Sequence, residues 1–257
     1  MRIFLAGENG KKRIITELHV TCGGGFDDVV KRWKPYILES FYYIDADTER
    51  LLPYYGDFLL DSGAFTFMVG KGEKTDFEEY AERYADFIVR NDVKKYFELD
   101  IDSVVGYEKV KELRKRLERI TNRQPIPVWH KSRGIEEYKR HCEQYPYVAI
   151  GGYVVKELKP KDYEKFPAMI RYAHMHNAKV HCLGFTKLDS LAKYHFDSVD
   201  STAWTTGNRF GYLYYFDGKT MRKKDPPKGY RLNDPRKVAL NNYIEWIKFQ
   251  QWANTHL

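Results

Sequence analysis

Cysteine is scarce in this chain. Its 257 residues include three, Cys22, Cys142 and Cys182, far apart and with no CxxC pair. That spacing excludes a disulfide-stapled scaffold and a cysteine-rich structural zinc site, and it suits a reducing compartment. Long apolar runs are missing too. No stretch approaches the ~18 consecutive apolar residues of a membrane span. The opening MRIFLAGENGKKR has too short an apolar run for a secretory signal. A soluble, intracellular, cytoplasmic protein with no membrane partner is therefore expected. Gly23, Gly24 and Gly25 follow Cys22 without the lysine and serine of a P-loop, so they read as a flexible loop. The histidines form no chelating pair. His174 and His176 stand two apart in a helical stretch, and His181 and Cys182 are strand neighbours that point to opposite faces. No metal and no cofactor are expected, and no internal repeat or low-complexity tract is visible.

What is present is a core-forming, aromatic, basic chain. Hydrophobic residues make up 43%, enough for a sizeable core, and there are 21 tyrosines, which suit ligand and nucleic-acid surfaces. The formal net charge of +7 favours a polyanionic partner.

Short apolar runs alternate with amphipathic stretches. Strands are expected at Arg2 to Leu5, Ile15 to Val20, Phe58 to Leu60, Lys95 to Leu99, Pro125 to Trp129, Tyr147 to Ile150, Lys179 to Leu183 and Phe196 to Val199. Helices are expected at Asp27 to Tyr36, Thr48 to Tyr54, Tyr107 to Asn122, Ile135 to Tyr145, Lys161 to Asn177 and Leu188 to His195. Another opens at a capping box, Thr75 to Glu78, and carries Tyr80, Tyr84 and Ile88 on one face. Regular βα alternation means parallel pairing with right-handed crossovers. Eight units in this length predict one domain over residues 1–257, an α/β (β/α)8 TIM barrel. Asn208 to Asp217 reads as an added hairpin, Met221 to Pro235 as a basic loop, and Pro235 to Trp252 as a terminal helix.

In a parallel α/β protein, ligands gather at the C-terminal strand ends. The residues just past the expected strands are Asp61, Asp100 and Asp102, His130, Gly151 and Gly152, Gly184, and Asp200. That is more acid and glycine than turns and helix caps need. Two carboxylates on opposite sides of a pocket suit glycosyl transfer, one attacking the anomeric carbon and the other handling the leaving group's proton.

The same residues carry a family resemblance. DSGAF (Asp61 to Phe65) resembles the DSGGF motif of tRNA-guanine transglycosylases. In order along the chain, FELDID (Phe97 to Asp102) falls where that family has a base-recognising aspartate. PIPVWH (Pro125 to His130) falls where a strand ends in a base-binding glutamine. YVAIGGYV (Tyr147 to Val154) resembles its AIGG loop. VHCLGFTKLDSLAKYHFDSVDST (Val180 to Thr202) resembles the late strand, helix and strand that end at the nucleophile, and NRFG (Asn208 to Gly211) resembles the loop after it. The resemblance covers about residues 55–215.

Residue by residue, it implies that Asp200 is the nucleophile on C1′ and Asp61 the acid, then base, that serves the departing and incoming bases. Phe65 and Leu183 would stack on the base. Asp100 or Asp102 would read its Watson–Crick edge, with Asp102 slightly favoured, and His130, Gly151, Gly152 and Gly184 would line its polar side. Lys187, Lys193 and Arg209 are candidates for phosphate contacts near the rim, and the run MRKKDPPK is either a further contact or a solvated loop. Two departures bear on substrate. Trp129 or His130 stands where the family has glutamine, and the family's zinc subdomain is missing. A short, zinc-free chain resembles the phage and bacterial relatives that insert 7-deazaguanine bases into DNA. The implied partners are DNA, with tRNA as the alternative, and a free 7-deazaguanine base; a homodimer is left open. The competing readings are a non-catalytic nucleic-acid-binding barrel and a barrel glycosidase acting on a small nucleoside.

Overall fold

The computed structural model describes residues 1–7, 26–71, 75–185, 187–207, 211–226 and 235–257. Seven strands form one all-parallel sheet: β1 (Arg2–Ala6), β2 (Tyr36–Ser40), β3 (Asp57–Asp61), β4 (Val128–Trp129), β5 (Tyr147–Ile150), β6 (Lys179–Cys182) and β7 (Ser198–Ser201). Their order is β3-β2-β1-β7-β6-β5-β4. The helices between them are α1 (Phe26–Trp33), α2 (Ala46–Leu51), α3 (Phe77–Arg90), α4 (Tyr107–Thr121), α5 (Ile135–Gln144), α6 (Phe166–Met175) and α7 (Leu188–Tyr194). Both faces of the strands are apolar, as a parallel sheet requires. Phe4, Ala6, Leu38, Leu59, Val128 and Ala149 cluster inside the curl. Their strand neighbours Ile3, Leu5, Ile37, Val148 and Ile150 face the helices. This period-two alternation aims Asp61, His130, Gly151 and Asp200 inward, since each lies two residues beyond, or in step with, an inward residue.

The expected closed eight-stranded TIM barrel is not what forms: the sheet is a curled half-barrel of seven strands. Among the described residues, the expected strand that does not form is Lys95 to Leu99, which makes only isolated parallel bridges, Leu60 with Tyr96 and Phe97 with Ile126. The cause is local. Ile126 N–H donates to Tyr96 O at 2.8 Å and Glu98 N–H to Ile126 O at 3.0 Å. The next donor, Val128 N–H, goes instead to the Glu98 side chain, Oε1, at 2.8 Å, so the ladder stops.

Other boundaries also moved. The strand β2, YILES, was not expected; α1 stops at Trp33 because Lys34 takes a left-handed φ of 45° and Pro35 follows. The cap of α3 is Asp76, which accepts from Glu78 N and Glu79 N, rather than Thr75. The expected strand Ile15 to Val20 and the glycines 23–25 lie outside the described residues.

A hairpin forms, but shifted: only β8 (Leu213–Phe216) falls in the expected span 208–217, and its partner β9 (Met221–Lys224) lies in the expected basic loop. It packs on α8 (Pro235–His256), which runs beyond Trp252. Asn242 and Glu245 accept from Tyr214 N and Phe216 N at 2.7 and 2.8 Å. Gln250, fully buried, donates to Ile3 O and Tyr36 O at 2.7 Å each, tying the helix to β1 and β2. No helix among the described residues is long and apolar enough to cross a membrane.

Candidate active site

A cavity of about 560 Å³ opens at the C-terminal ends of the strands. Its walls include Asp61, Phe65, Asp100, His130, Gly151, Gly152, Leu183, Gly184 and Asp200, all named from sequence. The volume lies in the range of small-molecule sites.

Asp61 ends β3 and is held by Gly63 N–H, which donates to Oδ2 at 2.9 Å. Gly63 has a φ of +85°, and a Cβ there would sit 2.8 Å from Tyr42 Cβ, so the turn admits glycine alone. Burial pushes the Asp61 carboxyl up to about 6; the Gly63 donor works against this, and the nearby Asp200 and Asp100 charges add to it. Asp200 sits on β7 with both its hydrogen bonds on one oxygen. Gly184 N–H donates to Oδ1 at 2.6 Å and His181 Nε2 lies 3.2 Å from the same atom. Oδ2 has no hydrogen bond among the described residues.

Asp100 is fixed from both sides. His130 Nε2 meets Oδ2 at 2.7 Å and Arg133 Nη2 donates to Oδ1 at 2.8 Å. The second His130 nitrogen, Nδ1, meets Glu157 Oε2 at 2.9 Å. Burial opposes charge on His130, but Asp100 and Glu157 outweigh it and raise the imidazole to about 9. His130 is thus a cationic clasp. With both nitrogens engaged, His130 lines the cavity and holds Asp100 in place.

The preference for Asp102 is also corrected. Asp102 opens a short helix, Asp102–Val105, and its Oδ2 accepts from Arg133 Nε at 3.0 Å, outside the cavity wall. The oxygens and imidazole of Asp100, Asp102 and His130 lie close enough together to ligate a cation. Arg133 already supplies positive charge there, and a metal would have to displace it.

Phe65 is 50% exposed and lines the cavity, as do Val154 and Val155. Lys187 and Lys193 are exposed but do not line the cavity; each ammonium lies over a ring, Tyr163 at 5.0 Å and Tyr194 at 5.4 Å. Arg209 lies outside the described residues.

Five contributors were not foreseen: Glu39, Glu98, Arg133, Glu157 and His181. Glu39 and Glu98 are buried acids that line the cavity. Burial pushes Glu98 up to about 7, although Arg114 and Arg133 pull it down. A glutamate among the apolar residues of Tyr96 to Leu99 (YFEL) was the available signal for a polar cavity floor.

The clasp predicts a pH dependence. A histidine whose folded pKa is raised adds stability that is complete below its unfolded value near 6.5 and is lost as pH rises through about 9. Urea unfolding at pH 6 and pH 9.5 is expected to show the parent losing on the order of 2–3 kcal/mol more than His130→Gln. Equal losses in the two proteins would contradict the clasp.

No protein-family model matches the chain, and no curated protein matches it.

Proposed function

We propose that this protein is a base-exchange transglycosylase that replaces guanine in a polynucleotide with a 7-deazaguanine base. The observation that carries the reading is that Asp61 and Asp200 line one cavity with different environments. Asp61 is pushed toward neutrality, which suits an acid–base group. Asp200 keeps one oxygen without a hydrogen bond among the described residues, which suits a nucleophile.

In the first displacement Asp200 Oδ2 bonds C1′ as the C1′–N9 bond breaks. Its electron pair leaves with guanine, which takes the Asp61 proton. In the second, the incoming base gives a proton to Asp61 and attacks C1′, and the C1′–Oδ2 pair returns to Asp200. Two inversions give overall retention. Asp100, held by Arg133 and His130, accepts from the guanine N1–H and 2-amino group, while Phe65 and Leu183 supply apolar contact. The target nucleotide leaves its stack to enter. DNA is the favoured polymer and tRNA the alternative. The cytoplasm, of a host if the gene is viral, is the proposed compartment.

The test is incubation with labelled guanine and either duplex DNA or tRNA. Label entering one polymer is expected; label entering neither sinks the reading. Glycosyl-enzyme formation in a single turnover is expected to fall as pH rises through about 6, where Asp61 loses its proton, and this limb should vanish in Asp61→Asn. A flat profile from pH 5 to 8 in the parent would count against Asp61 as the acid.

A further inference from the structure

Beneath Asp200 runs a buried polar chain that the exchange reading does not use. On β6 and β7, His181 and Ser198 are register partners. His181 Nδ1 and Ser198 Oγ are 2.6 Å apart, and the same Oγ hydrogen-bonds with the Tyr147 hydroxyl. His181 Nε2 faces Asp200 Oδ1. The imidazole is fully buried between the rings of Phe4 and Phe97, whose centroids lie 6.2 and 5.3 Å away.

Only one arrangement of protons runs through this chain with every donor used. A carboxylate only accepts, so Nε2 must carry the hydrogen that points at Oδ1. The Ser198 hydroxyl hydrogen then points at Nδ1, which accepts it, and Ser198 Oγ accepts from Tyr147. Burial pushes the Tyr147 phenol well up, so it keeps its proton. With Gly184 N–H, two donors converge on Oδ1.

We propose that His181 is a positioning residue that, by donating Nε2–H to Oδ1 of Asp200, reserves Oδ2 as the atom that bonds C1′ and eases the departure of that carboxylate. The role rests on the exchange reading; the direction of the hydrogen bonds does not. Donors on Oδ1 stabilise the carboxylate anion. They moderate its attack and assist its release, when the C1′–Oδ2 bond breaks and its electron pair returns to Asp200. Their loss should therefore slow the second displacement more than the first.

Three forms are compared: the parent, His181→Met, which fills the space without a donor, and His181→Gln, whose amide nitrogen can reach the same oxygen. His181→Met is expected to lower kcat about 10²-fold, to lower kcat/KM for the polynucleotide far less because that ratio reports the first displacement, and to accumulate glycosyl-enzyme. His181→Gln should recover at least about tenfold of that loss. A role in packing alone predicts the reverse order or no difference, and Met and Gln variants of equal activity would overturn the proposal. Nitrogen-15 spectra of the unmutated protein decide the same point should the Met variant fail to fold. A protonated Nε2 with an unprotonated Nδ1 is expected. An exchanging parent whose Nε2 is unprotonated overturns this role and leaves the exchange reading standing. A parent that exchanges no base in either polymer overturns the exchange reading, and the role with it, whatever the tautomer.

Discussion

Asp200→Asn is expected to lower base exchange on the order of 10⁴-fold or more while leaving the fold intact. The two halves of that expectation come from the two oxygens. Oδ1 accepts from Gly184 N–H and faces His181, and an asparagine carbonyl can take over both contacts. Oδ2, with no hydrogen bond among the described residues, becomes an amide nitrogen with no nucleophilic lone pair. Thermal unfolding should therefore shift little, polynucleotide binding should persist, and turnover should collapse. A variant that still exchanges within tenfold of the parent would remove Asp200 from the chemistry.

Arg133→Met is expected to destabilise the protein by about 3–5 kcal/mol, the usual cost of stripping a buried charge from its partners. The Arg133 side chain is 3% exposed and meets three carboxylates. Nη1 donates to Val128 O, and the guanidinium lies 4.3 Å from the centre of the Tyr107 ring. Without it, Asp100 keeps only His130, and Glu98 keeps the Val128 N–H on Oε1 with Arg114 as its remaining cation, 3.4 Å from Oε2, an oxygen that makes no hydrogen bond. Glu98, already raised to about 7, would bind its proton more tightly in the folded state. The variant should then lose stability as pH rises, so urea unfolding should show a larger deficit at pH 8 than at pH 5. A loss below about 1 kcal/mol would mean that the cluster relaxes without the arginine.

Parts of this site were legible in the sequence for a physical reason. Asp61, Asp100, Gly151 and Asp200 each follow an apolar run, and a parallel strand delivers the residue at its end to the rim of the sheet. The neighbours that govern them lie elsewhere. His181 is inside a strand, and only the alternation of faces, together with a register that sets it against Ser198, puts it under Asp200. Arg133 comes from a single 3-10 turn and Glu157 from a loop, and no periodicity describes the course of either. Asp102 misled because the same spacing that allowed it to enter the pocket also allowed it to start a helix. The barrel misled in a similar way: KKYFELD has strand composition, yet its glutamate side chain takes the donor that would have extended the ladder. β2 starts at Tyr36, where the expected helix Asp27 to Tyr36 ended, because Lys34 and Pro35 stop α1 first.

The most direct measurement is to quench a reaction with substrate polymer under denaturing conditions and map any covalent adduct by peptide mass spectrometry. The expected result is a nucleotide-bearing peptide modified at Asp200, absent from Asp200→Asn and chased by added free base. Base exchange that proceeds with no adduct, or with an adduct on any other residue, would contradict a mechanism in which Asp61 and Asp200 divide the work across one cavity.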